Sequence, residues 1–286
     1  MIGAVTQAAI GEITIGYDDS IGDGAAQRGD ALLLVHGHPF DRTMWGPQVA
    51  HATAAGWRVI VPDLRGYGET TVVPGATTLE TFARDAVALL DHLGVGSFVL
   101  GGLSMGGQIA MELVRQVPDR VRGLLLADTS SAAETDAGKV ERNAVADRLV
   151  AGGDEGMAGY AEELLPRMVA PVTLAERRAV ADHVLAMMRA TSAEGAAAAL
   201  RGRAERPDYD ATISALTVPT LVVVGDGDTY TPVAEAHRMH EVIPGSTLVV
   251  VEGAGHLPNL ERPDEFNAAL DGLLRAVAVS GSAPVD

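Results

Sequence analysis

An apolar run, Val99-Leu100-Gly101-Gly102-Leu103, leads straight into Ser104-Met105-Gly106-Gly107, and a helical pattern follows over residues 108–117. No other feature of the chain narrows its fold as much. A Gly-x-Ser-x-Gly between strand and helix holds its serine on a sharp bend, with the hydroxyl exposed above the edge of a sheet. The flanking glycines keep side chains out of that crowded turn. Serine is a weak nucleophile at its free pKa. The bend therefore has chemical meaning only if an imidazole and a carboxylate converge on it.

Two later segments supply both groups. Residues 219–225 read as a buried strand that empties into Asp226-Gly227-Asp228, and residues 246–252 read as another that empties into Gly253-Ala254-Gly255-His256. Each candidate lies just past the C-terminal end of a strand, where open α/β sheets build their sites. His256 is the expected base. Asp228 is the expected acid, with Asp226 in the same turn and Asp128, after the strand at 123–127, as alternatives. Acyl transfer also needs preorganised N–H donors for the developing oxyanion. One is expected from Met105, directly after the serine, and one from the turn His36-Gly37-His38 that follows the strand at 31–35. Within that turn His38 is the expected donor, and His36 is expected to pack beneath it.

With Asp63-Leu64-Arg65-Gly66-Tyr67-Gly68 and the run from Gly253 through His256 to Glu261, these motifs resemble the α/β-hydrolase superfamily over residues 10–277. The resemblance is closest to the branch of aryl esterases, cofactor-free haloperoxidase or perhydrolase-like enzymes and β-ketoadipate enol-lactone hydrolases. It implies an α/β-hydrolase fold: a mainly parallel sheet of the eight-stranded type, helices on both faces, and a helical cap. It further implies Ser104 as nucleophile, Asp228 as acid, His256 as base, and His38 and Met105 as oxyanion donors, with no cofactor and no metal. The activity implied is hydrolysis of a small-molecule carboxylic ester or lactone through an acyl-enzyme. Position 38 often carries a bulky aromatic or apolar residue in that branch. An imidazole there predicts a hydroxyl, keto or carboxylate group near the substrate carbonyl, with His38, Phe40 and Trp45 lining the substrate site. Carbon–carbon hydrolysis of a diketone by the same triad and a ligand-binding protein on a hydrolase scaffold stay open as rivals. Epoxide hydrolases and haloalkane dehalogenases are disfavoured, because those relatives carry Asp where Ser104 stands.

Alternating strand and helix signals predict strands at 13–17, 31–35, 57–61, 97–100 and 123–127. A helix is expected over 79–93, opened by a Thr77–Glu80 capping box and closed by Gly94. The strand pattern then stops. Residues 129–216 are helical, with Ala-rich and Met-containing runs, and read as a cap inserted between the sixth and seventh strands. The core is then 1–128 with 217–286.

Composition removes several other functions. The net charge of −17 argues against nucleic acid and anionic membranes, where a basic footprint is expected. Lys139 is the only lysine, which leaves Schiff-base and Walker-type phosphate chemistry almost nothing to work with. There is no cysteine, and His36-x-His38 has no third ligand nearby in sequence. The 20 uncharged residues between Asp91 and Glu112 include six glycines and read as strand, bend and helix, not as a bilayer span. Residues 1–27 carry no Lys or Arg and no long apolar run, so no secretory signal is expected and the cytoplasm is the expected compartment. Homo-oligomerisation is compatible with this reading.

Overall fold

The structure, a computed structural model, describes residues 6–20 and 31–280. Parts of the 1–27 segment, and residues 281–286 of the expected core, lie outside the described residues. Eight strands form one sheet: β1 (Thr6–Ile10), β2 (Ile13–Asp19), β3 (Ala31–Val35), β4 (Arg58–Pro62), β5 (Phe98–Leu103), β6 (Val121–Ala127), β7 (Thr220–Gly225) and β8 (Thr247–Val251). Their spatial order is β1-β2-β4-β3-β5-β6-β7-β8. β2 pairs antiparallel with β1 and β4, and every pairing from β4 through β3 to β8 is parallel.

The order of winding places the site. From β3 the chain steps outward to β4 and then returns to the other side of β3 as β5. The loops leaving β3 and β5 therefore diverge from neighbouring strand ends, at the switch point where such sheets open a crevice. The register pairs Val35 with Gly102, so the histidine-rich turn and the Ser104 bend start side by side.

Helices α1 (Gly46–Ala54), α2 (Leu79–His92) and α3 (Met105–Gln116) fill the first connections. Between β6 and β7 stand α4 (Asp136–Met168), α5 (Pro171–Glu176), α6 (Arg178–Ala190), α7 (Ala193–Ala204) and α8 (Asp210–Ser214). The chain closes with α9 (Val233–Val242), α10 (Pro258–Glu261) and α11 (Pro263–Ser280). In β3, Leu33 and Val35 face one apolar layer with α2 and α3, while Leu32 and Leu34 face the other with Trp45 and α11. A strand buried on both faces has no polar alternation, which is why β3, β5, β6 and β7 read as continuous apolar runs.

Three expectations change. β1 was not foreseen: four of its five residues escape full burial, so Thr6-Gln7-Ala8-Ala9-Ile10 carries almost no apolar signal. β5 runs on to Leu103, because Gly101 and Gly102 still pair with Leu125 and Leu126 of β6. The cap of α2 is Thr78, whose side chain accepts from Thr81 N, and not Thr77. Thr77 is buried, and its N–H donates to Ala198 O of α7 at 2.9 Å. That contact explains the Ala-rich composition of α7, a helix pressed against the core. A Cβ added at Gly195 would stand 2.0 Å from Gly66 O. Among the described residues no helix is long and apolar enough to cross a membrane.

Candidate active site

Ser104 links β5 to α3 with φ 57° and ψ −117°, a left-handed backbone that costs an L-residue of order 1–3 kcal/mol and persists only when its surroundings impose it. They do so here. Ser104 N donates to Ala127 O at 2.9 Å, and Thr129 Oγ1 donates to Ser104 O at 2.7 Å. Gly106 lies so close to the end of β3 that an added Cβ would stand 2.1 Å from Val35 O. The turn after β3 lies against the same bend: a Cβ on Gly37 would be 3.2 Å from Ser104 Cβ.

Of the three carboxylates weighed as the acid, Asp228 meets the imidazole. Its Oδ2 is 2.8 Å from His256 Nδ1, and both side chains are buried. Oδ1 accepts from Tyr230 N at 2.7 Å and Thr231 N at 3.1 Å, while Thr231 Oγ1 donates to Oδ2 at 2.5 Å. Burial works to raise the Asp228 pKa, but the His256 charge and the bonds from Thr231 outweigh it and hold the carboxyl below its ordinary range. The other imidazole nitrogen, His256 Nε2, is buried without a hydrogen-bond partner. No hydrogen bond joins it to Ser104 here; such contacts commonly tighten only around a substrate. Asp226 lies apart, accepting from Gly253 N at 2.8 Å.

Asp128 is part of the same cluster. Its Oδ1 accepts from Gly225 N at 2.9 Å, and ligating atoms of Asp128, Asp228 and His256 lie within 4.8 Å of one another. Burial, and then the neighbouring Asp228 charge, push its pKa well above the carboxylate range and favour the neutral acid.

His38 N and Met105 N have no protein acceptor among the described residues, as donors reserved for an oxyanion would require. The His38 side chain is engaged on both sides, with Nδ1 2.7 Å from Tyr67 Oη and Nε2 3.3 Å from Tyr160 Oη. The imidazole expected to reach a polar substrate group thus already has two tyrosine partners. His36 packs below as expected: its Nε2 accepts from Leu64 N at 2.9 Å, and burial lowers its pKa. The side chains of Phe40 and Trp45, placed by sequence beside the substrate, are fully buried in the core layer, with Trp45 6.0 Å from Phe266 ring to ring.

The loop carrying His256 is held from below by Glu261, which is fully buried. Glu261 Oε1 accepts from Gly255 N at 2.8 Å, and Oε2 accepts from Ala170 N at 2.7 Å and Thr173 Oγ1 at 2.6 Å. The carboxylate joins the histidine loop to α5.

A cavity of about 550 Å³ lies under the inserted helices. Gln108, Tyr160, Tyr230 and Thr231 line it on the side of the site, and Arg142 and Arg203 on the side of the insertion. Tyr230 stacks its ring 5.3 Å from the His256 ring. Tyr67, Tyr160, Tyr230 and Arg203 were not singled out from sequence. Tyr67 stood in a quoted motif and Tyr230 stands two residues after Asp228, but Tyr160 and Arg203 lie far from any motif, and only the fold brings them to the site.

A family model described as alpha/beta hydrolase fold matches residues 30–263. The chain is 41% identical to a thermophilic esterase from Thermogutta terrifontis, solved with malate bound; the two superpose with a TM-score of 0.87 over 96% of this chain and 97% of that one. An enol-lactonase from Burkholderia xenovorans LB400 is 26% identical, with a TM-score of 0.85 over 94% of this chain and 100% of that one. The 3-oxoadipate enol-lactonase 2 of Acinetobacter baylyi is 28% identical over 245 residues, 86% of this chain and 88% of its own length.

Proposed function

The chain belongs to the alpha/beta hydrolase fold family, and on that premise we propose that it hydrolyses a carboxylic ester or lactone of a small molecule through an acyl-enzyme formed on Ser104. The observation that carries this reading is the buried Asp228–His256 pair, 2.8 Å apart, with Nε2 left free at the sheet edge that also presents the strained Ser104. The esterase and enol-lactonase relatives support the same bond type.

His256 takes the proton of Ser104 as the hydroxyl attacks the carbonyl. The N–H groups of His38 and Met105 meet the oxyanion, where one such donor lowers the barrier by about 3 kcal/mol. His256 then protonates the leaving group and activates water against the acyl-enzyme, while Asp228 holds the imidazole in one tautomer and balances its charge. The insertion between β6 and β7 acts as a cap over Ser104, and the protein works in the cytoplasm.

Labelling with a fluorophosphonate, followed by peptide mapping, tests this reading together with an ester, lactone and diketone panel. Ser104 is expected to carry the label, and Ser104→Ala to lose both label and turnover while folding like the parent. A variant that retains a tenth of the parental kcat excludes the serine mechanism.

A further inference from the structure

Arg203 is 2% exposed and stands in the last turn of α7, a helix otherwise filled by alanine, glycine and leucine at its buried positions. A guanidinium so deeply buried is ordinarily paired with a carboxylate. This one is not. Its Nε donates to the neutral amide oxygen of Gln108 at 3.2 Å, and among the described residues it makes no ion pair. The carboxylates around this region are taken: Glu134 is shared by Arg142 and by Arg206, the latter at 2.8 Å, and the buried Glu112 is held by Arg115 and Tyr209.

The unpaired charge faces the cavity beneath the insertion, which Arg203 lines with Gln108, Arg142, Tyr160 and Tyr230. The cavity abuts the proposed reaction centre. Tyr160 bonds His38, Tyr230 stacks on His256, and Gln108 follows Ser104 by one turn of α3. The positive field reaches both flanks of that centre. Burial and then the charges of Arg203 and Arg142 lower His38, and Arg203 and Arg142 pull the buried Tyr230 phenol below its ordinary range against the effect of burial. Glu134, Glu141 and Glu235 line the same cavity, with Glu134 held by Arg142 and Arg206 and Glu235 by Arg238. The stretch of wall that Arg203 forms beside Tyr160 and Tyr230 keeps its positive charge and is complementary to an anion on the acyl portion of the substrate. The planar guanidinium fork fits a carboxylate in particular.

We propose that this cavity is a carboxylate subsite with Arg203 as its anchor, so that the preferred ester or lactone is an anion carrying a carboxylate a few bonds from the scissile carbonyl. The inference rests on the ester or lactone hydrolase reading and names its substrate class. It also relocates the polar selectivity expected of His38, whose two nitrogens are taken by tyrosines.

The test compares mono-4-nitrophenyl succinate with two neutral esters, 4-nitrophenyl butyrate, in which a methyl replaces the carboxylate, and 4-nitrophenyl 4-methylpentanoate, in which an isopropyl group matches it in shape. The parent protein is expected to show kcat/KM at least tenfold higher for the succinate ester than for either neutral ester. In Arg203→Gln those ratios are expected to fall at least tenfold, mostly through KM. Because Arg203 is buried and a variant can misfold, a second measurement uses the parent alone: succinate at millimolar concentration is expected to slow fluorophosphonate labelling of Ser104, and butyrate at the same concentration is not. Equal kcat/KM for the succinate ester and either neutral ester, together with no protection by succinate, overturns the subsite. If none of the esters is cleaved and Ser104 takes no label, the hydrolase reading itself fails. Succinate is then followed by its shift of the thermal midpoint, where the absence of a shift larger than that of butyrate overturns the subsite independently.

Discussion

The hydroxyl of Tyr67 stands 2.7 Å from Nδ1 of His38, tying the loop at 63–68 to the turn after β3 that packs against the Ser104 bend. Burial raises the phenol pKa and lowers that of the imidazole, so both stay neutral at working pH. A neutral imidazole has one donor and one acceptor nitrogen, and the two tyrosines satisfy both. The motif Asp63-Leu64-Arg65-Gly66-Tyr67-Gly68 accordingly supports the turn at 36–38, bonding His38 through Tyr67 and His36 through Leu64 N. Asp63 accepts from Arg42 N and Glu69 N, each at 2.9 Å, and Arg65 is held by Asp85.

Tyr67→Phe keeps the ring and removes that bond, leaving a buried imidazole nitrogen without a partner. The expected cost is about 1–3 kcal/mol in urea unfolding. With the turn loosened, kcat should fall about tenfold, less than the loss of a whole oxyanion donor. A variant as stable and as fast as the parent would show that the tyrosine only fills space.

Asp228 and Asp226, which share one turn, should separate by kinetics. Asp228→Asn leaves His256 with the wrong tautomer and no charge balance, and kcat should fall about 10⁴-fold, as for other serine triads. Asp226→Asn changes an outlying bond to Gly253 N and should stay within about 0.5 kcal/mol in stability and activity, as surface substitutions do. Steady-state kinetics on one aryl ester measures both. A larger loss at Asp226 than at Asp228 would move the acid by two residues.

Much of this site was legible because its chemistry sits at strand ends. Apolar runs with no polar alternation mark β3, β5, β6, β7 and β8, and Ser104, Asp228 and His256 follow three of them directly. Arg203 was not legible. Its helix reads Ala-Glu-Gly-Ala-Ala-Ala-Ala-Leu-Arg-Gly-Arg-Ala, and nothing in that pattern says that Arg203 is buried while Arg201 is bonded to an exposed Asp147. Burial there comes from contact with the core near Gly66 and Thr77, distant in sequence. Tyr160 and Tyr230 were hidden in the same way, since their partners are 122 and 26 residues away. The Thr77 cap failed for a related reason, because a backbone contact with α7 claimed that residue.

Asp128 gives a pH-dependent prediction. Its folded pKa is raised above the unfolded value of about 3.9. Its contribution to stability is therefore fully present below that value and is lost as pH rises through the folded pKa. Asparagine mimics the neutral acid, accepting from Gly225 N and donating towards Asp228. Asp128→Asn should thus fold, and its stability relative to the parent should grow from pH 4 to pH 8 in urea melts at fixed ionic strength. A difference that stays constant or shrinks over that range would mean that Asp128 is ionised in the native protein.

The last prediction concerns Glu261, at the end of the run that begins at Gly253. Its carboxylate accepts from Gly255 N, Ala170 N and Thr173 Oγ1, and at 3.4 Å from Leu257 N, four donors that converge on one buried group. Hydrogen bonds to a charged group contribute about 1.5–3 kcal/mol each, and a buried donor left without its acceptor costs about 1–3 kcal/mol. Glu261→Ala should therefore destabilise the protein by about 3 kcal/mol or more in urea unfolding. Glutamine does not repair the loss, since it turns an NH₂ towards donors that need an acceptor. Because Gly255 precedes His256, the slackened loop should also misplace the imidazole, so that any folded Glu261→Gln loses kcat while KM changes little. The decisive readout is kcat measured at a denaturant-free temperature where the variant is fully folded by circular dichroism. A folded Glu261→Gln with parental kcat would confine Glu261 to joining α5 to the core and remove it from the positioning of His256.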